Sequence, residues 1–561
     1  MTTYRFPEKE TAIIAPAASP LINRLLSLRN INNADAFLTP DYETQLHDPF
    51  LLHDMDKAVT RIESAMASNE IIAIFSDYDC DGIPGAVVLH DCFKAIGYAN
   101  FINYIPHRHY EGFGLNTSAI DKLAAQGVKL IITIDCGTSD VEAIAYAKEK
   151  GVDVIVTDHH EPHELLPEAI AIINPKLGTY PFTELCGAST VFKLAQALLA
   201  HGSYTVSPGQ EKWWLDMVGI ATIADMVPLV GENRVFARFG LQVLRKSRRP
   251  GIQQLLSKNK IDQRYLTEED IGFTIGPRIN AASRMAHAML AHDLLMESNV
   301  DVAGNLALEL ENHNNARRKL STDTTEQVKL LVETEYQNKK FIFAVGEEYP
   351  FGIVGLIAGR IAHTYRKPTC VLFRGATESM GSFRSIPEFN IIEAIEKCSD
   401  LLVKFGGHTQ AAGMTIKNEN LDVFYERFSA LVEENLREVV TEPEMWIDME
   451  IQPTDIVPRL VTDITRFAPF GEGNTEPVFA LSDMRVKQVR FVGNGNKHLK
   501  FSLESPDGLK SFDAIGFSLG ERFPMIVEGD RLDIAFTLEE NTWNGRSSIQ
   551  LKLIDLCRKG A

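Results

Sequence analysis

Three apolar runs in the first half of the chain predict buried strands. They cover residues 71–75 (IIAIF), 129–134 (KLIITI) and 153–157 (DVIVT), and helical patterns lie between them. The helix after the first run is expected to end at Gly97, because glycine readily takes the left-handed conformation found after a helix C-terminus. Near-continuous apolar strands that alternate with helices indicate a parallel sheet covered on both faces. Residues 51–235 are therefore expected to form an α/β domain.

After this domain the pattern of apolar positions changes. Residues 236–335 carry many charges on helical patterns and predict a helical connector. Residues 336–442 return to alternating strands and helices, so a second α/β domain is expected there. Within it, the apolar stripe of residues 390–405 (NIIEAIEKCSDLLVKF) predicts one helix that ends at Gly406.

The last part of the chain, residues 443–561, has apolar residues at every second position. The alternation continues on both sides of a hairpin turn predicted at Asn544–Gly545. A small all-β barrel is expected, for which an oligonucleotide-binding (OB) barrel is one identity and a generic β-module is the alternative. Residues 1–50, punctuated by prolines, are expected to form a packed N-terminal arm.

The composition is that of a globular protein, with 45% hydrophobic and 23% charged residues. No apolar run reaches the length of about 18 residues that predicts a membrane span. The first residues include Glu8 and Glu10 where a signal peptide would need an apolar core. Seven cysteines without metal-type spacing agree with reduced thiols. The protein is therefore expected in the cytoplasm, without a membrane partner.

The net charge of −19 comes from 56 basic and 75 acidic side chains. This balance argues against a surface coated in basic residues, but it does not exclude a nucleic-acid groove, because such binding depends on where the cations cluster. The candidate clusters are residues 245–249 (RKSRR) and 317–319 (RRK). Solvated helix ends are the alternative interpretation of both.

Each of the three predicted strands ends in residues that can bind metal ions. The first is followed by Asp77, Asp79 and Asp81, the second by Asp135, and the third by residues 158–160 (DHH). Carboxylates this close together repel one another unless cations neutralise them. Because the carboxyl ends of parallel strands meet at one edge of a sheet, the three turns are expected to face one crevice. Taken alone, the first turn could equally be an acidic surface turn.

Asp225 is expected to contribute a fourth acidic group. It lies at helical spacing from Val218 and Thr222, so it can share a face with a buried stripe. A carboxylate on such a face is costly unless it is paired or bound to a metal ion.

Three further segments offer hydrogen-bond donors to an anion. Gly276–Pro277 interrupts the helical pattern of the connector and is followed by donors, and two glycine-flanked loops occur at residues 380–385 (MGSFRS) and 406–413 (GGHTQAAG). Forked arginines beside a break in the pattern favour a phosphate contact, and glycines allow a close backbone approach. Ordinary surface loops are the alternative. The candidate donors are Arg278, Asn280, Arg284, Ser382, Arg384 and His408.

The acidic and histidine positions in this order resemble the DHH phosphoesterase superfamily. Together with GPRINAASR, SFRS and GGHTQAAG, they are similar to the RecJ family of bacterial single-stranded-DNA exonucleases within it, over nearly the whole chain. Two positions depart from the family pattern: Ser283 stands where glycine is usual and Cys80 where alanine is common. Both residues are small and leave the proposed ligands intact.

The resemblance implies a catalytic DHH domain, a connector, a DHH-associated domain and a C-terminal OB fold. It implies two ions, Mn²⁺ or Mg²⁺, with Asp135 as the bridge between them and Asp158 as a partner that orients its neighbouring histidine. The implied metal ligands are Asp77, Asp79, Asp81, Asp135, His159, His160 and Asp225, of which Asp135, His159 and His160 form the catalytic set. Around the 5′ end of the DNA it places Arg108, Arg278, Ser382 and Arg384.

The implied activity is 5′→3′ hydrolysis of single-stranded DNA to mononucleotides in DNA repair and recombination, by metal-activated water. A helicase and a single-strand-binding protein are the expected helpers, and a monomer is expected. Two alternatives remain at this point: a phosphoesterase for pyrophosphate, cyclic dinucleotides or short oligonucleotides, and a non-catalytic DNA-binding scaffold. The C-terminal β-module disfavours the first, and the intact acidic and histidine positions disfavour the second.

Overall fold

The computed structural model describes residues 3–7, 19–437, 444–543 and 546–559, so the turn expected at Asn544–Gly545 lies outside it. The chain forms two compact units. The first contains residues 1–47, 226–239 and 442–561, and the second contains residues 48–225 and 240–441. The five domain boundaries expected from the sequence remain predictions. The chain begins with β1 (Thr3–Arg5), α1 (Pro20–Leu28) and α2 (Ala34–Leu38).

The expected parallel sheet is present in the second unit, and the three strands predicted from apolar runs are confirmed. Five parallel strands lie in the order β3-β2-β4-β5-β6. The chain leaves β2 toward β3 and then crosses to β4 on the other side of β2, which creates the switch point where α/β sheets bind ligands. Gly97, which follows the helix after β2, has the expected left-handed conformation, with φ +82°. The elements are α3 (Met55–Ala67), β2 (Ile71–Ser76), α4 (Gly82–Ala95), β3 (Phe101–Tyr104), α5 (Thr117–Ala125), β4 (Val128–Ile134), α6 (Val141–Glu149), β5 (Asp153–Thr157), β6 (Ala171–Ile173), α7 (Gly187–His201) and α8 (Leu215–Ala224).

The connector is helical, as predicted. Its elements are α9 (Gly231–Leu244), α10 (Pro250–Lys258), α11 (Glu268–Asp270), α12 (Gly276–Met285), α13 (Met289–Met296) and α14 (Val300–Leu331). The expectation that Gly276–Pro277 interrupts the helical pattern is wrong, because these residues begin α12. A π-helical turn at Ile271–Ile275 leads directly into α12, so Gly276–Pro277 marks a change of helical geometry and not a break between helices.

The second α/β part has a five-stranded sheet in the order β10-β11-β9-β8-β7, in which only β7 and β8 are parallel. The prediction of one long helix over residues 390–405 is wrong. The helix stops at Glu396, and Leu402–Gly407 forms an edge strand. The elements are β7 (Ile342–Gly346), α15 (Val354–Tyr365), β8 (Thr369–Arg374), β9 (Glu378–Arg384), α16 (Ile391–Glu396), β10 (Leu402–Gly407), β11 (Ala411–Lys417) and α17 (Leu421–Asn435).

The C-terminal part is the all-β barrel expected from the alternating pattern. Strands β14, β15, β16, β18 and β17 follow one another, and β17 pairs again with β14 to close the barrel. The elements are β12 (Glu444–Trp446), β13 (Met449–Glu450), α18 (Pro458–Thr465), β14 (Phe479–Val492), β15 (His498–Glu504), β16 (Ser511–Gly516), β17 (Arg531–Trp543) and β18 (Arg546–Arg558).

The N-terminal helix α1 shares the core of this barrel. Leu25 and Leu26 are fully buried in one cluster with barrel residues such as Phe479. Arg29 follows the helix and makes a bidentate ion pair with Asp448, with Nε–Oδ1 and Nη2–Oδ2 distances of 2.7 and 2.9 Å. The two ends of the chain therefore build one unit. Among the described residues, no helix is both long and apolar enough to cross a membrane.

Candidate active site

The turn after β2 places three carboxylates at the switch point of the parallel sheet. The Asp77 amide donates to Ile134 O on the neighbouring strand, and Asp79 Oδ1 accepts from the Asp81 amide at 2.8 Å. Gly82 begins α4 so close to this turn that a Cβ there would lie 2.5 Å from Asp77 O. The glycine is therefore required for the turn to fold back on itself.

The turn after β4 holds Asp135 in a strained conformation, with φ +62°. The start of α7 packs against it: a Cβ on Gly187 would lie 2.6 Å from Asp135 Cβ. The same helix start binds Asp81, whose two carboxylate oxygens accept from the amides of Gly187 and Ala188 at 2.6 and 2.8 Å. Free amides at a helix N-terminus stabilise a carboxylate. Helix α7 thus fixes two of the acidic residues together.

The turn after β5 orients the two histidines. Asp158 Oδ1 accepts from His160 Nδ1 at 2.8 Å, and Asp158 Oδ2 accepts from the Thr138 amide at 2.9 Å. These are the contacts expected of a partner that orients its neighbouring histidine. Because Nδ1 donates to Asp158, the other ring nitrogen of His160 is left to act as a ligand or to carry a proton.

The four segments meet around His159 and Asp135. His159 Nε2 lies 3.2 Å from Asp135 Oδ1, 3.6 Å from Asp81 Oδ2 and 3.7 Å from Asp225 Oδ2. Among the described residues, three groups have ligand atoms close enough to hold a cation, and together they contain all seven residues expected to bind metal. The groups are Asp135–His159–His160, Asp81–His159–Asp225 and Asp77–Asp79–Asp135.

The electrostatics of these groups fit divalent cations. Burial and neighbouring carboxylates raise the pKa of Asp77, Asp81 and Asp135, and they raise the pKa of Asp225 to about 9. One oxygen each of Asp77 and Asp135 is buried without a hydrogen-bond partner. A mixed set of carboxylates and imidazoles with unused oxygens is a donor set that suits Mn²⁺ and accepts Mg²⁺.

The pKa values of the two histidines are shifted in opposite directions. Burial lowers the pKa of His159, which favours the neutral ring that a metal ion needs. Burial also opposes a charge on His160, but the hydrogen bond and the charge of Asp158 outweigh it and raise the pKa of His160. His160 is therefore the ring in this centre that holds a proton more readily.

Three of the expected phosphate-binding arginines come together in a basic pocket formed by Arg108, Arg284, Arg384 and Ser382. Arg384 Nη1 donates to Ser382 Oγ at 2.6 Å. The positive charge of Arg108 bears on Arg284 and Arg384 and also on Asp77, so the pocket lies beside the acidic centre. Arg108 stacks over the ring of Tyr78, 4.7 Å from its centroid.

The other expected binding residues are placed differently. Arg278 is buried and its Nε donates to Glu311 at 2.6 Å, so its charge is already paired. Asn280 Oδ1 accepts from the Cys80 amide at 2.8 Å and thereby supports the first acidic turn. His408 is exposed in the turn between β10 and β11, and among the described residues it contacts no other expected site residue.

Sequence reasoning missed residues that support the centre from outside it. Asn174 is fully buried, and its Nδ2 donates to His160 O at 2.9 Å. Gly187 allows α7 to approach Asp135, as described above. The sequence did contain a signal for each residue. Asn174 directly follows the apolar run AII, as the acidic residues follow their strands, and Gly187 opens an apolar helical pattern.

The fold and this centre define a DHH-type protein. The family model of the DHH N-terminal domain matches residues 71–222, that of the DHHA1 domain matches residues 338–434 and that of the RecJ OB domain matches residues 447–555. The chain belongs to the RecJ family of single-stranded-DNA-specific exonucleases.

The similarity to RecJ proteins extends over nearly the whole chain. This chain is 35% identical to RecJ of Bacillus subtilis, over 96% of this chain and 68% of that protein. It is 31% identical to RecJ of Haemophilus influenzae, over 96% of each protein. The crystal structure of Thermus thermophilus RecJ in complex with Mn²⁺ matches with a TM-score of 0.84 at 25% identity, over 100% of this chain and 80% of that one. A second structure of that protein, in complex with Mg²⁺, matches with a TM-score of 0.77 at 25% identity, over 100% of this chain and 79% of that one.

Proposed function

We propose that this chain is a metal-dependent exonuclease that degrades single-stranded DNA from its 5′ end to mononucleotides, in DNA repair and recombination. The observation that carries the proposal is the meeting of three potential metal-binding groups among the described residues, linked by Asp135 and His159, each of which belongs to two groups. Two ions, Mn²⁺ or Mg²⁺, would be held by Asp77, Asp79, Asp81, Asp135, His159, His160 and Asp225. When bound, such a pair activates water and stabilises the leaving oxygen in attack on phosphorus.

The residues around the centre have the task of orienting the strand. The basic pocket beside the acidic centre suits a terminal phosphate, since guanidinium forks match phosphate oxygens. Arg384 and Ser382 lie near Gly355 in the first turn of α15, where a Cβ would be 3.2 Å from Arg384 Nη2. A 5′ phosphate held there would set the register of the first scissile bond. Asp158 holds the ring of His160, and α7 holds Asp81.

The barrel is proposed to bind the strand downstream, which is the common role of OB folds. We also propose that a helicase and a single-strand-binding protein assist the nuclease, because its substrate must be single-stranded. The protein is proposed to work as a monomer in the cytoplasm. All the residues of the centre come from one chain, and the seven cysteines are free thiols.

The proposal is tested by the release of labelled mononucleotides from 5′-end-labelled single-stranded DNA with Mn²⁺ or Mg²⁺. Mononucleotides are expected from the first time point, and none is expected with a chelator. Release of internal fragments first, or activity on dinucleotides alone, would contradict a 5′ exonuclease on long strands.

A further inference from the structure

A row of arginines continues from the basic pocket away from the acidic centre. It runs from Arg284 at the end of α12 to Arg317 on α14 and Arg360 on α15, three helices that pack in sequence. The charges that bear on Arg284 include Arg108, Arg384 and Arg317, and those that bear on Arg317 include Arg360. Adjacent arginines of the row are therefore near enough to repel one another.

These arginines lack acidic partners within salt-bridge distance in the part of the chain that the structure describes. Arg284 is largely buried, and its Nη1 donates to Gly352 O at 3.2 Å. Arg317 Nη2 donates to Asn314 Oδ1 at 2.8 Å, while Arg317 Nε is buried without a partner. Burial and neighbouring arginines lower the pKa of Arg284 to about 9 and also lower that of Arg317.

Buried arginines elsewhere in the same unit are neutralised. Arg249 pairs with Asp216 and Asp91 at 2.8 and 2.5 Å, and Arg278 pairs with Glu311 at 2.6 Å. Arg284 and Arg317 are partly buried, and leaving their like charges together without an anion is costly. The contrast indicates that the unpaired row receives its anion from a ligand.

The row is longer than one phosphate needs. Arg108, Arg384 and Ser382 are enough to surround a terminal phosphate, and Arg284 and Arg317 continue beyond them. Arg360 then opens onto a groove between α14 and α15 of about 400 Å³, which is also lined by the donors Thr322 and His363. Glu326 lines it too, but its charge is paired with Lys329 at 2.9 Å. The charge and the open space therefore both continue beyond the residues proposed to hold the terminal phosphate.

We propose that this row binds the second and third phosphates of a 5′-triphosphorylated strand, so that such ends are substrates of the same active site. The inference rests on the proposed 5′ exonuclease function and names a substrate class for it. In the first cleavage the oxygen of water bonds to the first internucleotide phosphorus and the bond from that phosphorus to the 3′ oxygen breaks. The 3′ oxygen takes a proton, a nucleoside triphosphate leaves with its anhydride bonds intact, and the remaining strand carries a 5′ phosphate.

The test compares kcat/KM of the full chain with Mn²⁺ on short strands that differ only in carrying a 5′ triphosphate or a 5′ monophosphate. The parent is expected to cleave the triphosphorylated strand at least as well as the monophosphorylated one and to release nucleoside triphosphate. Arg317→Gln and Arg360→Gln are expected to lower kcat/KM on the triphosphorylated strand by roughly tenfold, as for the loss of one charge-assisted hydrogen bond. On the monophosphorylated strand they are expected to stay within about twofold of the parent.

Arg374→Gln is the control, because it removes one exposed positive charge from the same unit, at the end of β8, and lies outside the row. The control variant is expected to leave kcat/KM unchanged on both strands. Arg360 is exposed, so its variant keeps the test valid if Arg317→Gln fails to fold. Equal losses on both strands, or poor cleavage of the triphosphorylated strand by the parent, would overturn the inference. Inactivity of the parent on both strands would instead contradict the proposed function.

Discussion

At the scale of single residues, Asp135 combines features that rarely occur together. Its backbone is in the left-handed region, one carboxylate oxygen is buried without a partner, and neighbouring carboxylates raise its pKa further after burial has raised it. A residue keeps such a conformation only where its surroundings enforce it. The strained backbone and the unpartnered oxygen of Asp135 each cost free energy of folding. The proposed role of Asp135 as a ligand of two cations accounts for both.

Replacing Asp135 with asparagine is expected to abolish nuclease activity while the protein remains folded. The change keeps the shape of the side chain and removes the charge that both cations would share, so the rate should fall by orders of magnitude. Turnover of labelled single-stranded DNA at saturating Mn²⁺ measures the loss, and a DNA-binding assay checks that the strand is still bound. Activity within tenfold of the parent would remove Asp135 from the proposed metal ligands.

Asp158→Asn is expected to weaken Mn²⁺ binding by roughly 10–100-fold, the usual effect of losing an oriented partner of a histidine ligand. The half-saturating Mn²⁺ concentration for activity should rise, and excess Mn²⁺ should restore much of kcat. Asp153→Asn is the matched control, since Asp153 lies at the opposite end of the same strand, where it pairs with the mostly buried Arg61. Loss of kcat without a change in half-saturation would contradict a positioning role.

Arg384→Ala is expected to reduce the preference for a 5′-phosphorylated strand over a 5′-hydroxyl strand. The guanidinium is mostly buried beside Ser382 and Arg108, so its removal leaves the terminal phosphate with fewer donors. Comparing kcat/KM on the two strands for parent and variant measures the effect, with exposed Arg374→Ala as the control from the neighbouring strand. An unchanged ratio would show that Arg384 does not recognise the 5′ end.

At the scale of elements, strands β2, β4 and β5 could be predicted because they are buried on both faces and therefore continuously apolar. Strands β3 and β6 were missed, since they are only four and three residues long and give no period to detect. The single helix predicted over residues 390–405 was wrong because a run such as LLVKF fits either period. In strand β10 the half-buried residues, Leu402 and Phe405, lie three positions apart, as they would in a helix. The acidic turns were predictable from their positions after strands, whereas Arg278 looked free because Glu311 lies far from it in sequence.

Gly187→Ala is expected to damage the metal centre while preserving helix α7. Alanine favours a helix more than glycine does, but its Cβ would lie 2.6 Å from Asp135 Cβ and 3.0 Å from Asp135 Cα, so Asp135 must move. We expect weaker Mn²⁺ binding and at least tenfold lower activity, measured by metal titration and turnover. Gly304→Ala is the control for loss of a glycine, because Gly304 lies within helix α14 and a Cβ there would meet only Gln254, at 3.5 Å. Normal Mn²⁺ affinity would show that the turn tolerates displacement.

At the scale of the whole molecule, the acidic centre links folding to pH and metal. The pKa of Asp225 is raised to about 9 in the folded chain, from about 3.9 when unfolded. Its favourable contribution is therefore fully present below the unfolded pKa and is lost as pH rises through the folded pKa. Asp77, Asp81 and Asp135 act in the same direction.

Without metal, the melting temperature is therefore expected to fall between pH 6 and pH 9, and Mn²⁺ should raise it more at pH 9 than at pH 6. Mn²⁺ at about 100 times its Kd adds about 2.7 kcal/mol to the free energy of unfolding. Calorimetry with chelator and with Mn²⁺ at both pH values tests this, and Asp225→Asn should flatten the metal-free curve. A metal-free melting temperature that rises from pH 6 to pH 9 would contradict the linkage.

The shared core of α1 and the barrel has a consequence for how the chain is made. Helix α1 ends at Leu28, whereas the last barrel strand ends at Arg558, so its partner is synthesised 530 residues later. At roughly 5–20 residues per second, the apolar face of α1 emerges from the ribosome about 25–110 s before the barrel exists to cover it. Until then the nascent chain lacks the barrel side chains that bury Leu25 and Leu26, so a chaperone that binds short apolar segments has a target in α1.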